Sequence, residues 1–408
     1  MKRWSPWHWL LAAAVAAAIS AIGLTLAARE LLFVDTLDKY LGDLRTAWLA
    51  PRAETQRTDL AIVMIGEEAL RDYPSVSPID RRLLARVVDE VAAAGPKVIG
   101  LDVYFERRMP FTADLVASIR RAKVPVVLGA LDDRYLDDRN AGSRLELEGL
   151  AVQEDLLAEI GRPAGHLWLE RKVGTLTPGN ATIRFVGGPN PRQRTGVARE
   201  SFAAVVAKTA GYQHEPPNRV IAWQKPPRDA GTPLVPQIEI RRHKPETLAT
   251  PSGRLLSDAE RGLLRNRVVL IGASLRDRDQ HPTPLSVLDG SVHPGVLLHA
   301  QVIGQRIDGN RDVRTLPGWV EFLIVAGVAF LCILWGHSLQ VFHRKQIYQL
   351  AGLAVIGVFG LALFRFWHID SPSGALAFAW LAGAFIGHHA NGILLRLGLF
   401  TAATARPT

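Results

Sequence analysis

Long apolar runs stand at both ends of this chain, and the residues between them read as a water-soluble protein. The first run is WLLAAAVAAAISAIGLTLAA, from Trp9 to Ala28. Three more follow near the C-terminus: WVEFLIVAGVAFLCILW (Trp319–Trp335), IYQLAGLAVIGVFGLALF (Ile347–Phe364) and GALAFAWLAGAFIGHHANGILL (Gly374–Leu395). About 20 helical residues cross a hydrocarbon core, so each run predicts a membrane helix. A cleavable signal peptide competes for the first run. That run exceeds a usual h-region and amphipathic sequence follows at once, so an uncleaved anchor is expected.

Basic residues in short loops set orientation. Lys2 and Arg3 place the N-terminus in the cytoplasm, which puts residues 30–316 outside. His343, Arg344 and Lys345 then lie inside, Asp370 outside with Arg365 on the same side, and Arg396 and Arg406 inside. Trp7, Trp9, Trp319, Trp335, Tyr348 and Trp367 sit near run ends, as interfacial aromatics do. The expected layout is a stub and first span (1–29), an extracytoplasmic domain (30–316), three spans (317–396) and a cytoplasmic tail (397–408), in a cell membrane. Gly383 and Gly387 form a small-xxx-small pair that would let another helix approach, the chain's argument for a homodimer. His388, His389 and Asn391 are expected to make interhelical hydrogen bonds.

The net charge of +9 raises the question of nucleic acid. Arg and Lys are interspersed with Asp and Glu, without a dense basic tract, and part of the excess flanks the apolar runs, so no nucleic-acid partner is expected. Cys332 is the only cysteine, which excludes an internal disulfide in the outer domain.

From Glu30 to Trp48, apolar residues at helical spacing predict a connector helix ended by Pro51. Strand and helix then alternate. LAIVMIG is a strand. Ser77-Pro78 opens a helix over IDRRLLARVVDEVAAAG, with Ser77 as cap. KVIGLDVYF, VPVVLGAL and RVVLIGASL are strands, FTADLVASIRRAK is a helix capped by Thr112, and HPGVLLHAQVIGQRIDG is a helix closed by Gly309. Continuous apolar strands between amphipathic helices predict an α/β fold, a parallel-rich sheet covered on both faces. In the Pro-rich middle, RVIAWQK, PQIEIRRH and GNATIRFVGG suggest strands and ESFAAVVAKTAG a helix.

Four strands end in glycine: Gly66, Gly100, Gly129 and Gly272. In a parallel sheet these ends form one rim, where ligands bind, and glycine permits close approach. The bland alternative is that these glycines only permit turns. Glu67, Asp102, Arg276, Asp279, Thr283 and His299 are the candidate ligand-binding side chains near that rim. The carboxylates suit cations or hydroxyls, and Arg276 suits an acidic group. Ser274, Asp279, His281 and His299 also lie close in sequence, but there is no G-x-S-x-G, H-E-x-x-H or phosphate loop. A non-enzyme without cofactor or metal is expected.

The order of these pieces resembles the CHASE2 family of bacterial extracytoplasmic sensor domains. The matching residues are LAIVMIGEEAL, IDRRLLARVVDEVAAAGPKVIGLDVYFE, RVVLIGAS with Asp279 and Pro282-Thr283-Pro284, GVLLHAQVIGQRIDG, and the connector around Asp43-Leu44-Arg45. The likeness spans about residues 30 to 315, and the middle departs most. It implies a signal-input role with one helix before the domain and three after it. It also implies a ligand, a small molecule or ion, and a separate cytoplasmic or membrane signalling partner, since only LRLGLFTAATARPT follows the last run. A scaffold without a ligand is the second expectation, and an extracytoplasmic hydrolase the third.

Overall fold

The computed structural model describes residues 6–74, 76–132, 144–171, 182–189, 199–229, 231–249, 254–276, 279–338 and 342–396. They form two compact units, one from 6–49 and 313–396, the other from 50–171 and 182–312.

The helical unit opens with α1 (Pro6–Glu30) and α2 (Leu32–Leu49). The helix pauses at Leu31, whose N–H still reaches the Ala27 carbonyl at 3.1 Å. The predicted connector is therefore a helix of its own.

In chain order the α/β unit contains β1 (Leu60–Gly66), α3 (Glu67–Leu70), α4 (Arg81–Ala93), β2 (Val98–Asp102), α5 (Thr112–Arg121), β3 (Val126–Ala130), α6 (Arg144–Ile160), β4 (Ala164–His166), β5 (Leu169–Arg171), β6 (Ile183–Val186), α7 (Phe202–Thr209), β7 (Gln237–Glu239), α8 (Asp258–Leu264), β8 (Val268–Ser274), β9 (Gln280–His281), β10 (His293–Pro294) and α9 (Gly295–Asp308). Six strands make one sheet in the order β4-β3-β2-β8-β1-β7, parallel throughout. Strand side chains alternate between two faces. Val63, Ile99, Leu128 and Ile271 pack on one face with α4, α5, α6 and α8. Leu60, Ile62, Val127 and Leu270 pack on the other with α7 and α9. Each fully buried aliphatic side chain contributes about 1.5–3 kcal/mol, and the two-sided core explains why these strands read as continuous apolar runs.

Local chemistry corrects several boundaries. Asp80, not Ser77, caps α4, accepting from the N–H groups of Arg82 and Leu83. Phe111 holds the N-cap position of α5 at φ 63°, and the Thr112 hydroxyl instead bonds Met109. Gly309, at φ 68°, closes α9 as expected. The RVIAWQK segment makes only isolated bridges, Phe185 with Val220 and Arg52 with Lys225; Pro226 and Pro227 follow it and lack the N–H a ladder needs.

The helical unit resumes with β11 (Arg314–Thr315), α10 (Gly318–Ser338), α11 (Phe342–Trp367), β12 (Ile369–Asp370) and α12 (Ser373–Arg396). Among the described residues three helices are long and apolar enough to cross a membrane: Ala13–Glu30, Gly318–Trp335 and Gln346–Trp367. The fourth expected span folds as α12 but falls short in hydropathy, because His388, His389 and several glycines dilute it. Gly383 and Gly387 serve α10 within the chain. A Cβ on Gly383 would lie 2.9 Å from the Ala329 carbonyl oxygen, and one on Gly387 2.2 Å from that of Ile333. His388 and His389 are exposed, and His389 Nδ1 lies 3.0 Å from the Phe385 carbonyl of its own helix. For His389 the bond is thus within its own helix rather than between helices; the side chain of Asn391 lies outside the described residues.

One end of this unit is tied by polar contacts. Arg45 donates to Ser371 Oγ (2.5 Å) and O (2.8 Å), Ser373 Oγ (3.1 Å) and Asp370 Oδ1 (2.5 Å). Asp38 accepts from the N–H groups of Gly374 (2.5 Å) and Ala375 (3.1 Å), which caps α12 from α2. Burial drives the Asp38 pKa up to about 7 despite those two donors.

Candidate functional site

Asp102 ends β2 and stands in register with Gly272 of β8. From β2 the chain passes to α5 on one face; from β8 it passes to α9 on the other. Adjacent parallel strands whose connections leave to opposite faces open a crevice above their carboxyl ends, the ligand position of open α/β sheets.

Asp102 is partly exposed in that crevice. Its carboxyl is held well above the usual carboxylate range, first by burial and then by the charge of Asp279. Asp279 accepts from the Gly295 N–H at 3.3 Å, so it sits over the N-terminus of α9, where a negative charge is favoured. Its other oxygen lies 3.3 Å from His281 Nε2. A Cβ on Gly295 would come within 2.9 Å of that oxygen, so only glycine lets the carboxylate approach. The pairing of His281 with His293 between β9 and β10 fixes the loop.

His299, farther along α9, is 4% exposed and packs edge-on against Phe202, ring centroids 5.3 Å apart. Its Nδ1 is buried with no hydrogen-bond partner. Burial, then the neighbouring His166 and His281, lowers its pKa to about 3, so the ring is neutral at physiological pH. His166 ends β4, with Nδ1 4.0 Å from Asp132 Oδ2; both are buried.

The structure thus brings together Asp102, Asp279 and His281, with His299 close enough for the His281 charge to bear on it. It does not bring Glu67 and Arg276 into that set. They meet at the ends of β1 and β8, both exposed, where the Arg276 N–H donates to Glu67 Oε1 at 3.0 Å. Thr283 is buried in its own turn, its N–H donating to Ser286 Oγ at 2.8 Å. Gly66 does end β1, but Gly100 and Gly272 lie inside their strands and Gly129 one residue before the end of its own. A Cβ on Gly100 would meet Leu270 at 2.7 Å and Phe202 at 2.9 Å, on Gly129 Leu167 at 2.7 Å, and on Gly272 Val296 at 2.7 Å. The room at these three glycines is taken by the protein's own side chains, which draws α7 and α9 onto the sheet.

Asp132 and His166 were not singled out by sequence. Asp132 directly follows the VVLGAL strand, as Asp102 ends KVIGLD, and that repeated strand-then-acid pattern is the signal that would have found it. Among the described residues no group of three or more His, Cys, Asp or Glu is arranged to hold a metal ion. The crevice offers a carboxyl group that donates when protonated and a second carboxyl group that accepts, with a neutral imidazole buried on α9: a hydrogen-bonding surface suited to hydroxyl groups.

A doubly covered parallel sheet with a polar crevice, carried in one chain with helices long and apolar enough to cross a membrane, defines an α/β domain of the membrane-associated class. A sequence profile of the CHASE2 domain matches residues 12–334, and the chain belongs to that family of extracytoplasmic sensor domains. The match takes in most of α1 and α10 as well as the whole α/β unit. Neither a curated protein nor a solved structure matches the chain.

Proposed function

We propose that this chain is a membrane-anchored sensor that binds a small hydroxyl-bearing molecule in the crevice between β2 and β8 and signals, through its apolar helices, to a separate partner protein. The observation that carries the reading is the convergence of Asp102, Asp279 and His281 at the point where connections reverse faces, with the buried His299 within electrostatic reach of His281. Buried polar atoms are ordinarily paired, and leaving one unpaired costs about 1–3 kcal/mol. The unpartnered Nδ1 of His299 is accounted for if a ligand supplies the missing hydrogen. In this reading the α/β unit lies outside a bacterial inner membrane and the N-terminus, with Lys2 and Arg3, lies inside. From α9 the chain runs through residues 309–317, which include β11, into α10, so a short segment links the helix that carries His299 to an apolar helix.

The test is thermal unfolding of the full chain in lipid nanodiscs against a panel of sugars and polyols. A ligand at a hundredfold excess over its Kd stabilises by about 2.7 kcal/mol. At least one compound should raise the unfolding temperature of the wild type and leave an Asp279→Ala variant unmoved. A flat panel, together with a stably co-purifying protein, would instead favour a ligand-free scaffold. Reporter fusions before α1 and after Arg396 test the orientation and tell whether α12 crosses the bilayer.

A further inference from the structure

Residues 220–224 run along α9 as a strap held by two glutamines one helical turn apart. Gln305 accepts from the Ala222 N–H at 2.9 Å and donates to the Val220 carbonyl at 3.3 Å. Gln301 accepts from the Gln224 N–H at 3.2 Å and donates to the Gln224 carbonyl at 2.9 Å. Past Gln224 the strap cannot continue this pairing, because Pro226, Pro227 and Pro233 bring no N–H. Lys225 turns instead to the segment before β1, its N–H donating to the Pro51 carbonyl at 2.9 Å and its carbonyl accepting from the Ala53 N–H at 3.0 Å. A cavity here measures about 190 Å³ and is lined mainly by Trp223, Leu234, Val235, Leu285, Leu297 and Leu298.

We propose that this cavity is a second binding site, for a small, uncharged, flat molecule carrying one hydrogen-bond donor. Four features select that class. The volume suits one or two fused rings; apolar cavities of about 150 Å³ stay dry and take up benzene-sized compounds. No Asp, Glu, Lys or Arg lines the space, and His293 at its margin is held below its ordinary pKa by burial, so a charged occupant would go uncompensated. Trp223 and the proline rings supply flat apolar walls. Gln224 lines the cavity, and its Oε1 is buried with no hydrogen-bond partner. An occupant with an N–H or O–H satisfies that acceptor; a plain hydrocarbon does not. The site is separate from the β2–β8 crevice: Leu297, Leu298 and Gln301 of α9 line the cavity, whereas His299 packs on Phe202 and is not among the lining residues.

The experiment uses the full chain in nanodiscs with three ring probes of similar shape: indole, which has an N–H donor; indene, which has none; and indole-3-carboxylate, which is charged. Binding is read by saturation-transfer NMR and equilibrium dialysis. Leu234→Trp and Leu285→Trp, two independent cavity-filling variants whose folding is checked by circular dichroism, report uptake by lipid alone. The wild type should bind indole saturably, indene about tenfold more weakly, and the carboxylate not at all. Either filled variant should lose the saturable component, and Gln224→Leu should make indole and indene equal. Equal uptake of indole by the wild type and a folded filled variant would overturn the proposal, as would equal affinity of the wild type for indole and indene.

Discussion

Arg45 in the helical unit and His299 in the α/β unit are equally buried, each 4% exposed, yet their surroundings differ. The guanidinium of Arg45 donates four hydrogen bonds to residues 370–373, leaving only its Nε unpaired. The imidazole of His299 is pressed against a phenylalanine with Nδ1 unpaired. A paired buried ion locks one arrangement, and removing it exposes what it held. A buried ring with an unpaired nitrogen gains no hydrogen-bond energy there. The first is a clamp between α2 and the start of α12. The second is the strongest pointer to a binding surface.

Substitutions can break or sharpen that contrast. The largest effect is expected for Arg45→Ala, a loss of about 3 kcal/mol in the unfolding of the purified full chain, at the low end for a buried pair because Asp370 is partly exposed. A loss well under 1 kcal/mol would dissolve the distinction. Gly387→Ala should cost about 2 kcal/mol, since the new methyl meets the backbone oxygen of Ile333 and α12 must move off α10. His299→Leu should stay within about 1 kcal/mol of the wild type by the same measurement, while abolishing any polyol-induced shift. A loss like that of Arg45→Ala would make His299 a structural residue.

The smallest effects concern pH and fall on one carboxyl group in each unit. Asp38, raised to about 7, holds a proton in the folded chain between about pH 4 and 7 that the unfolded chain has released. Stability from this group is therefore complete below about pH 4 and lost as pH rises through 7. Asp102, also raised, acts in the same direction. Asp38→Asn and Asp102→Asn should each flatten part of the decline of unfolding temperature with rising pH, and Asp102→Asn should gain a little stability at pH 8. A steeper decline in either variant would contradict the assignment.

What the sequence made legible follows from the range of the interaction responsible. β1, β2, β3 and β8 could be read because two-sided burial leaves each an unbroken apolar run. The crevice itself was partly legible: Asp102 and Asp279 stand after strands, and the structure sets one carboxyl within reach of the other's charge, whereas His299, read on a helix, packs on Phe202 and is linked to them only through His281. His166 was not, because β4 has only three residues and is a strand only through its neighbour β3. The glycines misled for a related reason. A glycine that ends a strand and one that admits a helix side chain look alike in sequence, and only Phe202, distant along the chain, reveals the function of Gly100. Likewise Gly383 and Gly387 announced a close helix contact without naming α10 as the helix.

The place of β8 has a consequence for how the chain is made. It lies between β1 and β2, yet it is synthesised after β3, β4, β6 and β7. Until Val268–Ser274 emerges, β1 and β2 each have a long apolar edge with no neighbour, and such edges pair readily with other chains. The nascent domain is therefore an incomplete sheet through most of its synthesis, and closing it requires a late strand to be inserted at its centre. Chains ending before Val268 should aggregate rather than fold, so the boundary of the smallest foldable fragment is set by this one strand.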